Sequence, residues 1–333
     1  TLAINTCGGI DFVDLDELTV DSVTAGGNAG FTGASGLTSG NDDINVNAGT
    51  SLSLNQTVNA GTGDVRVVVA GSYKIYHALK DNGVPVQFVA FPGGGHSTRD
   101  VVFTRDGRTM LVGVGSRSNV DDPDTTPAEK DRATILAFNP DGSGRRVYAT
   151  GIRNAVGLAI HPATGQLWVS VNERDNLGDN LVPDYITHVE EGGFYGWPWY
   201  YIGGNQDPRH AGKRPELKGT VKVPDVLLQS HSGSLQMVFY GGGQFPAEHR
   251  DSIFSAAHGS WNKAIRTGYK SIRTPLRDGA ATGDYQDFLT GFVTADGQVW
   301  GRPVGVAVAS DGALVVTDDA ANTIWRVSYT GKR

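Results

Sequence analysis

Polar residues at the predicted starts of two strands are of types that can transfer protons or bind ligands. His96 follows the glycine run 93–95 and opens a predicted strand, so its imidazole can project from a strand end with room around it. Imidazole is the side chain best suited to accept a proton near neutral pH. Arg153 and Asn154 open a second predicted strand, where a guanidinium can bind carbonyl or carboxylate oxygens. From these residues alone, a surface histidine and a salt-bridged arginine without function are the alternatives.

A third group is acidic and lies between Asn172 and Asp184. Its carboxylates come from Glu173, Asp175, Asp179 and Asp184. Hard cations such as Ca²⁺ prefer oxygen ligands of this kind. The segment therefore predicts either a calcium site or a solvated acidic loop.

Short antiparallel strands must position these residues, because one sequence pattern recurs along the chain. Each copy consists of an apolar strand, a turn and a second apolar strand. The copies are Asp100–Phe103 with Met110–Gly113, Val156–Ile160 with Leu167–Ser170, Leu235–Phe239 with Ile253–Ala256, and Val304–Val308 with Leu314–Thr317. Closing strands are predicted at Ile135–Phe138 and Ile324–Val327. Repeated hairpins of this kind predict an all-β fold, the β-propeller, with four strands in each blade.

Composition divides the chain near residue 70. Residues 1–70 are rich in Gly, Ala, Asn, Thr and Ser, and their aromatic residues are limited to Phe12 and Phe31. Short alternating runs bounded by Gly and Asn predict strands with tight turns here, while a partly disordered leader is the alternative. We therefore predict a Gly/Asn-rich β segment over residues 1–70 and a propeller over residues 71–333.

The bulk composition excludes several classes of protein. The net charge of -7 argues against general nucleic-acid binding, which usually requires a basic surface. The single cysteine, Cys7, cannot form an internal disulfide or a thiol-based metal site. No run approaches the roughly 18 consecutive apolar residues that would predict a membrane span.

Five stretches of the second domain match one enzyme family in order and spacing. They are Gly95–Asp100, Gly151–Ala159, Val171–Asp175, Gly192–Pro198 and Trp300–Gly305. Together they resemble the soluble quinoprotein glucose and sorbosone dehydrogenases, the sorbosone branch in particular, over residues 72–333. In the first domain, residues 48–54 and 58–65 resemble the β-solenoid repeats of filamentous haemagglutinin-type adhesins.

The first resemblance implies a secreted, six-bladed quinoprotein in the periplasm or outside the cell. It would oxidise an aldose or sugar aldehyde with pyrroloquinoline quinone (PQQ) and calcium, and pass electrons to an external acceptor. His96 matches the base that takes the sugar's hydroxyl proton, and Arg153 is the second catalytic residue implied. Cofactor contacts are implied for Arg99, Asn154, Lys263, Arg266 and Arg302. Calcium contacts are implied for the backbone carbonyls of Glu173, Arg174 and Asp175.

The sequence departs from the family pattern around the expected cofactor site. Ser116 stands where many relatives carry an aspartate, and Trp300 stands where a second cofactor arginine is expected. The motif that supplies a cofactor lysine is replaced by Gly259–Asn262, which makes Lys263 and Arg266 the candidate substitutes.

The first family blade also has no counterpart, because the N-terminal domain stands in its place. The propeller is therefore either incomplete or completed by that domain, with Val65–Ala70 and Lys74–His77 expected as a partial blade. Two further functions stay open on these grounds. One is a calcium-dependent propeller hydrolase of lactones or esters, and the other is a non-catalytic binding fragment.

Overall fold

The chain divides into two compact units, Thr1–Lys74 and Ile75–Arg333. The computed structural model describes the backbone of the strands between residues 4 and 69, residues 95–96 and residues 100–331. The domain boundary that composition places at residue 70 stays a prediction.

The first unit is built from short strands that pair mainly in parallel. They are β1 (Ile4–Asn5), β2 (Ile10–Asp14), β3 (Glu17–Val20), β4 (Ser22–Val23), β5 (Ala34–Ser35), β6 (Leu37–Thr38), β7 (Ile44–Ala48), β8 (Ser51–Leu54), β9 (Val58–Asn59) and β10 (Val65–Val69). Parallel ladders join β1 to β6 and β6 to β9, β2 to β7 and β7 to β10, and β3 to β8. Strands from successive parts of the chain are therefore stacked in chain order, as in a solenoid. The specific resemblance to haemagglutinin-type repeats stays a prediction.

Strand β10 corrects one expectation. Residues 65–70 were expected to begin a partial propeller blade, but β10 pairs in parallel with β7 over Val65–Val69 and so belongs to the first unit. Valine-rich strands fit parallel and antiparallel ladders alike, so composition could not choose between the two partners. The other half of the expected blade, Lys74–His77, lies outside the described residues.

The second unit contains four consecutive antiparallel sheets within the described residues. The first sheet orders β11 (Val101–Phe103), β12 (Met110–Val114), β13 (Thr134–Phe138) and β14 (Arg146–Thr150). The second orders β15 (Ala155–Ile160), β16 (Leu167–Val171), β17 (Pro183–Val189) and, after the small hairpin of β18 (Tyr200–Tyr201) and β19 (Asn205–Gln206), β20 (Val226–Ser230). The third holds β21 (Ser234–Phe239), β22 (Ser252–Ala257), β23 (Lys270–Arg277), β24 (Ala280–Ala281) and β25 (Gln286–Leu289). The last is β26 (Pro303–Val308), β27 (Leu314–Asp318) and β28 (Thr323–Val327).

These sheets confirm the four hairpins expected from the sequence. In each sheet the first strand forms an antiparallel ladder with the second, and the closing strand lies on the opposite edge of the second strand. In the described part of this unit, four 3-10 turns lie between strands: Pro127–Glu129, Pro208–His210, Pro215–Thr220 and Ala247–His249. Among the described residues, no helix is long and apolar enough to cross a membrane.

The hydrophobic core lies between neighbouring sheets. Leu111 and Ile135 of the first sheet pack in one cluster with Leu158 and Val169 of the second. A second cluster joins Trp168 to the third sheet, and a further one joins the third sheet to the fourth. Face-to-face packing of successive sheets is the arrangement of propeller blades, so we call these sheets blades 1 to 4. The six-bladed ring itself stays a prediction.

The innermost strands of neighbouring blades approach closely. A Cβ atom on Gly157 of β15 would lie 2.4 Å from the carbonyl oxygen of Leu235 in β21. Only glycine fits such an approach without moving a backbone. This contact fixes the spacing of blades 2 and 3 beside their open hairpin ends.

Candidate functional site

The predicted site residues lie at the open ends of the blade hairpins. Ser116 follows β12, Arg153 and Asn154 precede β15, and Asn172 follows β16. Backbone hydrogen bonds join these ends: the amide of His96 donates to Ser116 O (3.0 Å), that of Ser116 to Arg153 O (2.7 Å), and that of Asn172 to Asn154 O (3.0 Å). Blades 1 and 2 therefore bring His96, Arg153 and Asn154 together.

The hydrogen bonds of His96 define its tautomer. Nδ1 lies 3.0 Å from both the carbonyl oxygen and the Oγ of Ser116. The Ser116 hydroxyl donates its own proton to the carbonyl of Ser118 at 2.6 Å, so Oγ can only accept from the ring. Nδ1 therefore carries the proton, and in the neutral ring Nε2 carries the lone pair.

The surroundings of His96 keep the ring neutral. Burial, together with the nearby charges of Arg153 and Arg132, lowers its pKa from 6.5 to about 4, although the bond to Ser116 and the charge of Asp175 act in the opposite direction. A neutral imidazole at physiological pH is able to accept a proton.

Arg153 is buried and fully hydrogen-bonded. Its five N–H groups face five oxygens: Asn119 O (3.1 Å) for Nε, Asn172 O (3.3 Å) and Glu173 O (2.6 Å) for Nη1, and Asn119 Oδ1 (3.0 Å) and Asp175 Oδ2 (3.4 Å) for Nη2. Burial lowers the pKa of Arg153, while the carboxylates of Asp175, Glu173 and Asp184 raise it. In this arrangement the guanidinium holds the loop after β16, and its predicted contact with a quinone requires one of these five bonds to open.

Asn154 lies beside His96, and both residues are close to the backbone of Gly115. A Cβ atom on Gly115 would meet Asn154 Oδ1 at 2.3 Å and the His96 Cβ at 2.7 Å. Asn154 Oδ1 and Asn172 Oδ1 are buried and have no hydrogen-bond partner among the described residues. The amide of Asn154, beside His96, and that of Asn172, at the end of β16, thus retain binding capacity for a ligand.

The acidic side chains between residues 172 and 184 do not converge. Asp184 accepts from the amides of Glu173 (2.9 Å) and Gly233 (2.8 Å), whereas Asp179 accepts from the amide of Ala264 at 3.1 Å. Among the described residues, no group of three or more His, Cys, Asp and Glu side chains could hold a metal ion. Each acid instead accepts from a backbone amide or pairs with a charged neighbour, and a calcium site in this segment stays a prediction.

The implied calcium residues have other partners in this structure. The side chain of Arg174 forms an ion pair with Asp207 at 3.0 Å. The carboxylate of Glu173 accepts from the Arg174 amide, and burial raises its pKa to about 7. The carbonyls of Glu173 and Asp175 accept from Arg153 (2.6 Å) and from Asn119 Nδ2 (3.0 Å). Because a carbonyl oxygen has two lone pairs, the assignment of these carbonyls to calcium stays a prediction.

The other predicted cofactor residues cluster at the open ends of blades 3 and 4. Arg302 donates to the carbonyls of His258 (3.3 Å) and Gly259 (3.5 Å), and its guanidinium lies 5.8 Å from the centre of the Tyr269 ring. Arg266 lies 5.9 Å from the same ring and lines a groove of about 240 Å³. Among the described residues, Lys263 has no hydrogen bond or ion pair. Arg99 lies outside the described residues.

The loop after β22 links the two clusters. Asn262 Nδ2 donates to Asp175 Oδ1 at 2.8 Å, and the same oxygen lies 3.3 Å from His231 Nδ1. Blades 1, 2 and 3 therefore contribute contacts around Asp175, and Arg302 of blade 4 contacts the same loop after β22 through the carbonyls of His258 and Gly259. A larger groove, about 530 Å³, lies at the opposite turns near Arg105 and Thr164 and holds none of the predicted residues.

Aromatic residues near the site are mostly structural. Trp197, Trp199 and Tyr200 are buried and belong to the hydrophobic core. Trp300, which replaces an expected arginine, donates Nε1 to Gly291 O at 2.8 Å and packs on Phe292. This position contributes no cation to the site.

Sequence reasoning missed Asn119 and the roles of His231 and Asn262. Asn119 lies in the loop after β12, within an ordinary polar stretch that carries no motif. His231 and Asn262 stand in turns whose glycine and serine content predicts only a loop. Only their contacts with Arg153 and Asp175 single them out.

Comparison with known proteins agrees with this arrangement. The model of the family described as Glucose / Sorbosone dehydrogenase matches residues 54–267, which is more than half of the chain. The chain belongs to this family. A second family model, described as TrAA12-like, matches residues 214–330. The family match begins at residue 54, inside the first unit. It therefore includes β10, which pairs with β7 of that unit.

Relatives of this glucose/sorbosone dehydrogenase family member include proteins of known and unknown activity. An uncharacterized protein of Borreliella burgdorferi is 34% identical over 237 residues, covering 70% of this chain and 61% of the relative. A pyrroloquinoline quinone-dependent pyranose dehydrogenase of Coprinopsis cinerea is 26% identical over 298 residues, covering 69% of this chain and 39% of the relative. The chain thus spans less than two thirds of the length of these relatives.

Solved structures show the same fold. The calcium structure of a family AA12 carbohydrate-active enzyme from Trichoderma reesei has a TM-score of 0.58 and 19% identity, covering 70% of this chain and 68% of that one. The holo PQQ domain of the Coprinopsis cinerea pyranose dehydrogenase has a TM-score of 0.57 and 22% identity, covering 72% and 71%. The β-propeller architecture of this family member is therefore shown by structure as well as by sequence.

Proposed function

We propose that this protein is a quinoprotein dehydrogenase that oxidises an aldose or sugar aldehyde with PQQ and calcium. The observation that carries the proposal is the state of His96, a neutral imidazole whose Nδ1–H is fixed by Ser116 and whose Nε2 carries the lone pair. Family membership and the pyranose dehydrogenase relative support the same chemistry.

The residues of this chain divide the proposed reaction between them. His96 accepts the proton of the sugar hydroxyl at Nε2, because Nδ1 is already protonated. When bound, the quinone supplies the acceptor for the hydride that the sugar carbon loses. Asn154, whose Oδ1 is buried beside His96, orients the ligands that enter this end of the blades.

The side chains present fit the charge of PQQ, a tricarboxylate. Arg302, which precedes β26, and Arg266 flank Tyr269, and Lys263 lies on the same loop as Arg266 without a protein partner among the described residues. Cations of this kind complement carboxylate groups. Lys263 and Arg266 then take the place of the family's cofactor lysine, and Arg302 acts alone where the family has two arginines.

A calcium ion would take its oxygens from the loop after β16. The backbone carbonyls of Glu173, Arg174 and Asp175 are the proposed ligands, and the buried Asn172 Oδ1 adds an oxygen without a partner among the described residues. Backbone and amide oxygens of this kind suit a hard cation. We also propose a periplasmic or extracellular location and an external electron acceptor, on the resemblance to the secreted members of the family.

Reconstitution tests the proposal directly. Protein titrated with PQQ in the presence of Ca²⁺ should change the absorbance of the quinone in a saturable manner, and the loaded protein should reduce a dye when an aldose is added. Ester or lactone hydrolysis that needs calcium but no quinone would instead identify a hydrolase. Absence of both activities, together with no quinone binding, would identify a non-catalytic fragment.

A further inference from the structure

We propose that Asn119 is a positioning residue, which holds the Arg153 guanidinium and the Asp175 peptide in the arrangement that the site needs. Its importance for sugar oxidation rests on the proposed function, whereas the contacts themselves do not. Asn119 belongs to blade 1, and the groups it holds belong to blade 2, so it acts across the boundary between blades.

The amide of Asn119 binds both groups at once. Oδ1 accepts from Arg153 Nη2 at 3.0 Å and from the backbone amide of Asp175 at 2.9 Å. Nδ2 donates to the carbonyl of Asp175 at 3.0 Å. The paired bonds to one peptide imitate a strand contact, and they require an acceptor and a donor on one short side chain. Asparagine alone combines the two at this length, because aspartate lacks the donor and glutamine is longer by one carbon.

Hydrogen bonds also hold the backbone of Asn119. Its carbonyl accepts from Arg153 Nε at 3.1 Å and from the indole Nε1 of the buried Trp197 at 2.9 Å. Asn119 thus provides two of the five acceptors that surround Arg153. Because hydrogen bonds hold both the side chain and the backbone of Asn119, the Arg153 guanidinium is already ordered. It therefore loses little conformational entropy when a ligand binds.

The orientation of Arg153 matters for His96. The charge of Arg153 lowers the pKa of the imidazole, and the charges of Asp175 and Arg132 also act on it. Asn119 contacts both Arg153 and Asp175, so it controls the positions of two of these three charges. Asn119 therefore acts on the proposed base through other residues and does not itself touch the reacting atoms.

The decisive experiment uses the full chain without cofactor. Side-chain NMR of Arg153 should show separate Nη1 and Nη2 signals in the wild type, because each nitrogen is held by its own acceptors and rotation about Cζ–Nη is hindered. Asn119→Ala should merge or broaden these signals. Asn139→Ala is the matched control, since Asn139 bonds only within the exposed turn that also contains Ser143 and should leave the signals separate.

A second readout uses the quinone. Asn119→Ala should weaken PQQ binding by about tenfold, the usual scale for residues that orient a ligand-binding group, and Asn139→Ala should not. Separate Nη signals in Asn119→Ala, together with PQQ affinity equal to that of the control, would overturn the proposal. Failure of the wild type to bind PQQ would instead defeat the proposed function, because the NMR test is independent of the cofactor.

Asn119→Asp keeps the proposal testable should the alanine variant not fold. It preserves the oxygen that accepts from Arg153 but places a negative charge beside the guanidinium and loses the donor to Asp175. The pKa of His96, followed through its ring proton resonances, should rise above the wild-type value because the new charge offsets that of Arg153. An unchanged titration would show that Asn119 does not influence the site.

Discussion

At the scale of single residues, the chemistry of the site depends on how His96 is held. The carbonyl and the hydroxyl of Ser116 both accept from Nδ1. Burial and the charge of Arg153 lower the pKa of the ring to about 4, so the imidazole stays neutral at physiological pH. This arrangement favours a proton acceptor over a charged imidazolium.

Replacing His96 by Ala should abolish most sugar oxidation. The expected fall in kcat is about a hundred- to ten-thousand-fold, because general-base assistance contributes on that scale. PQQ affinity should change little, since the proposed cofactor cations lie on other residues. Steady-state dye reduction and a quinone titration measure the two effects. Full dehydrogenase activity in this variant would contradict the assignment of His96 as the base.

The titration of His96 should also appear in the pH dependence of stability. The ring takes up its proton near pH 6.5 in the unfolded chain but only near pH 4 in the folded one. The unfolded state therefore binds more protons between these values, and stability falls as the pH drops from 6.5 to 4, by up to about 3 kcal/mol. Urea denaturation across this range should show a smaller decline in His96→Gln. Equal slopes in the two proteins would contradict the lowered pKa.

At the scale of elements, the site exists because hairpins open at one end of the blades. Residues that precede a first strand and residues that follow a second strand are brought together by antiparallel pairing, as for Arg153 and Asn172. The loops after β16 and β22 then bridge blades 2 and 3 through Asp175 and Asn262. Close contact of the inner strands holds these ends in register.

Replacing Gly157 by Ala should therefore destabilise the propeller. The new methyl group would overlap the Leu235 carbonyl in the next blade, and overpacking of this kind costs about 1–3 kcal/mol. The urea midpoint of unfolding measures the effect. Gly219→Ala is the matched control, because nothing lies within 4 Å of a Cβ at that position. Equal midpoints for the two variants would show that the inner strands are not in close contact.

At the scale of the whole molecule, the proposed function requires residues of four blades to form one binding region. A ligand that bridges them stabilises the folded state by mass action, since the unfolded chain has no such region. The family assignment and the clustered cations at Arg302, Arg266 and Lys263 indicate that the ligand is an anion.

Addition of PQQ and Ca²⁺ should accordingly raise the melting temperature. At a free concentration a hundred times Kd, the gain is about 2.7 kcal/mol, or roughly 4 °C for a protein of this size. Arg302→Met should reduce the shift at the same concentrations, and a calcium chelator should reduce it further. An unchanged melting temperature with excess PQQ and Ca²⁺ would contradict the proposed cofactor.

The sequence by itself determined the hairpins, the family and the residues at the blade ends. Alternating apolar strands and Gly-containing turns are local signals, so the four hairpins appeared at nearly their observed bounds. Tertiary structure decided the rest, because the partners of a side chain are remote in sequence. Only in the folded protein do the acids of residues 172–184 bind separate partners and does β10 pair with β7. Arg153 likewise finds its acceptors on Asn119 and Asp175 only there. No sequence spacing encodes those contacts, which form only when the blades pack together.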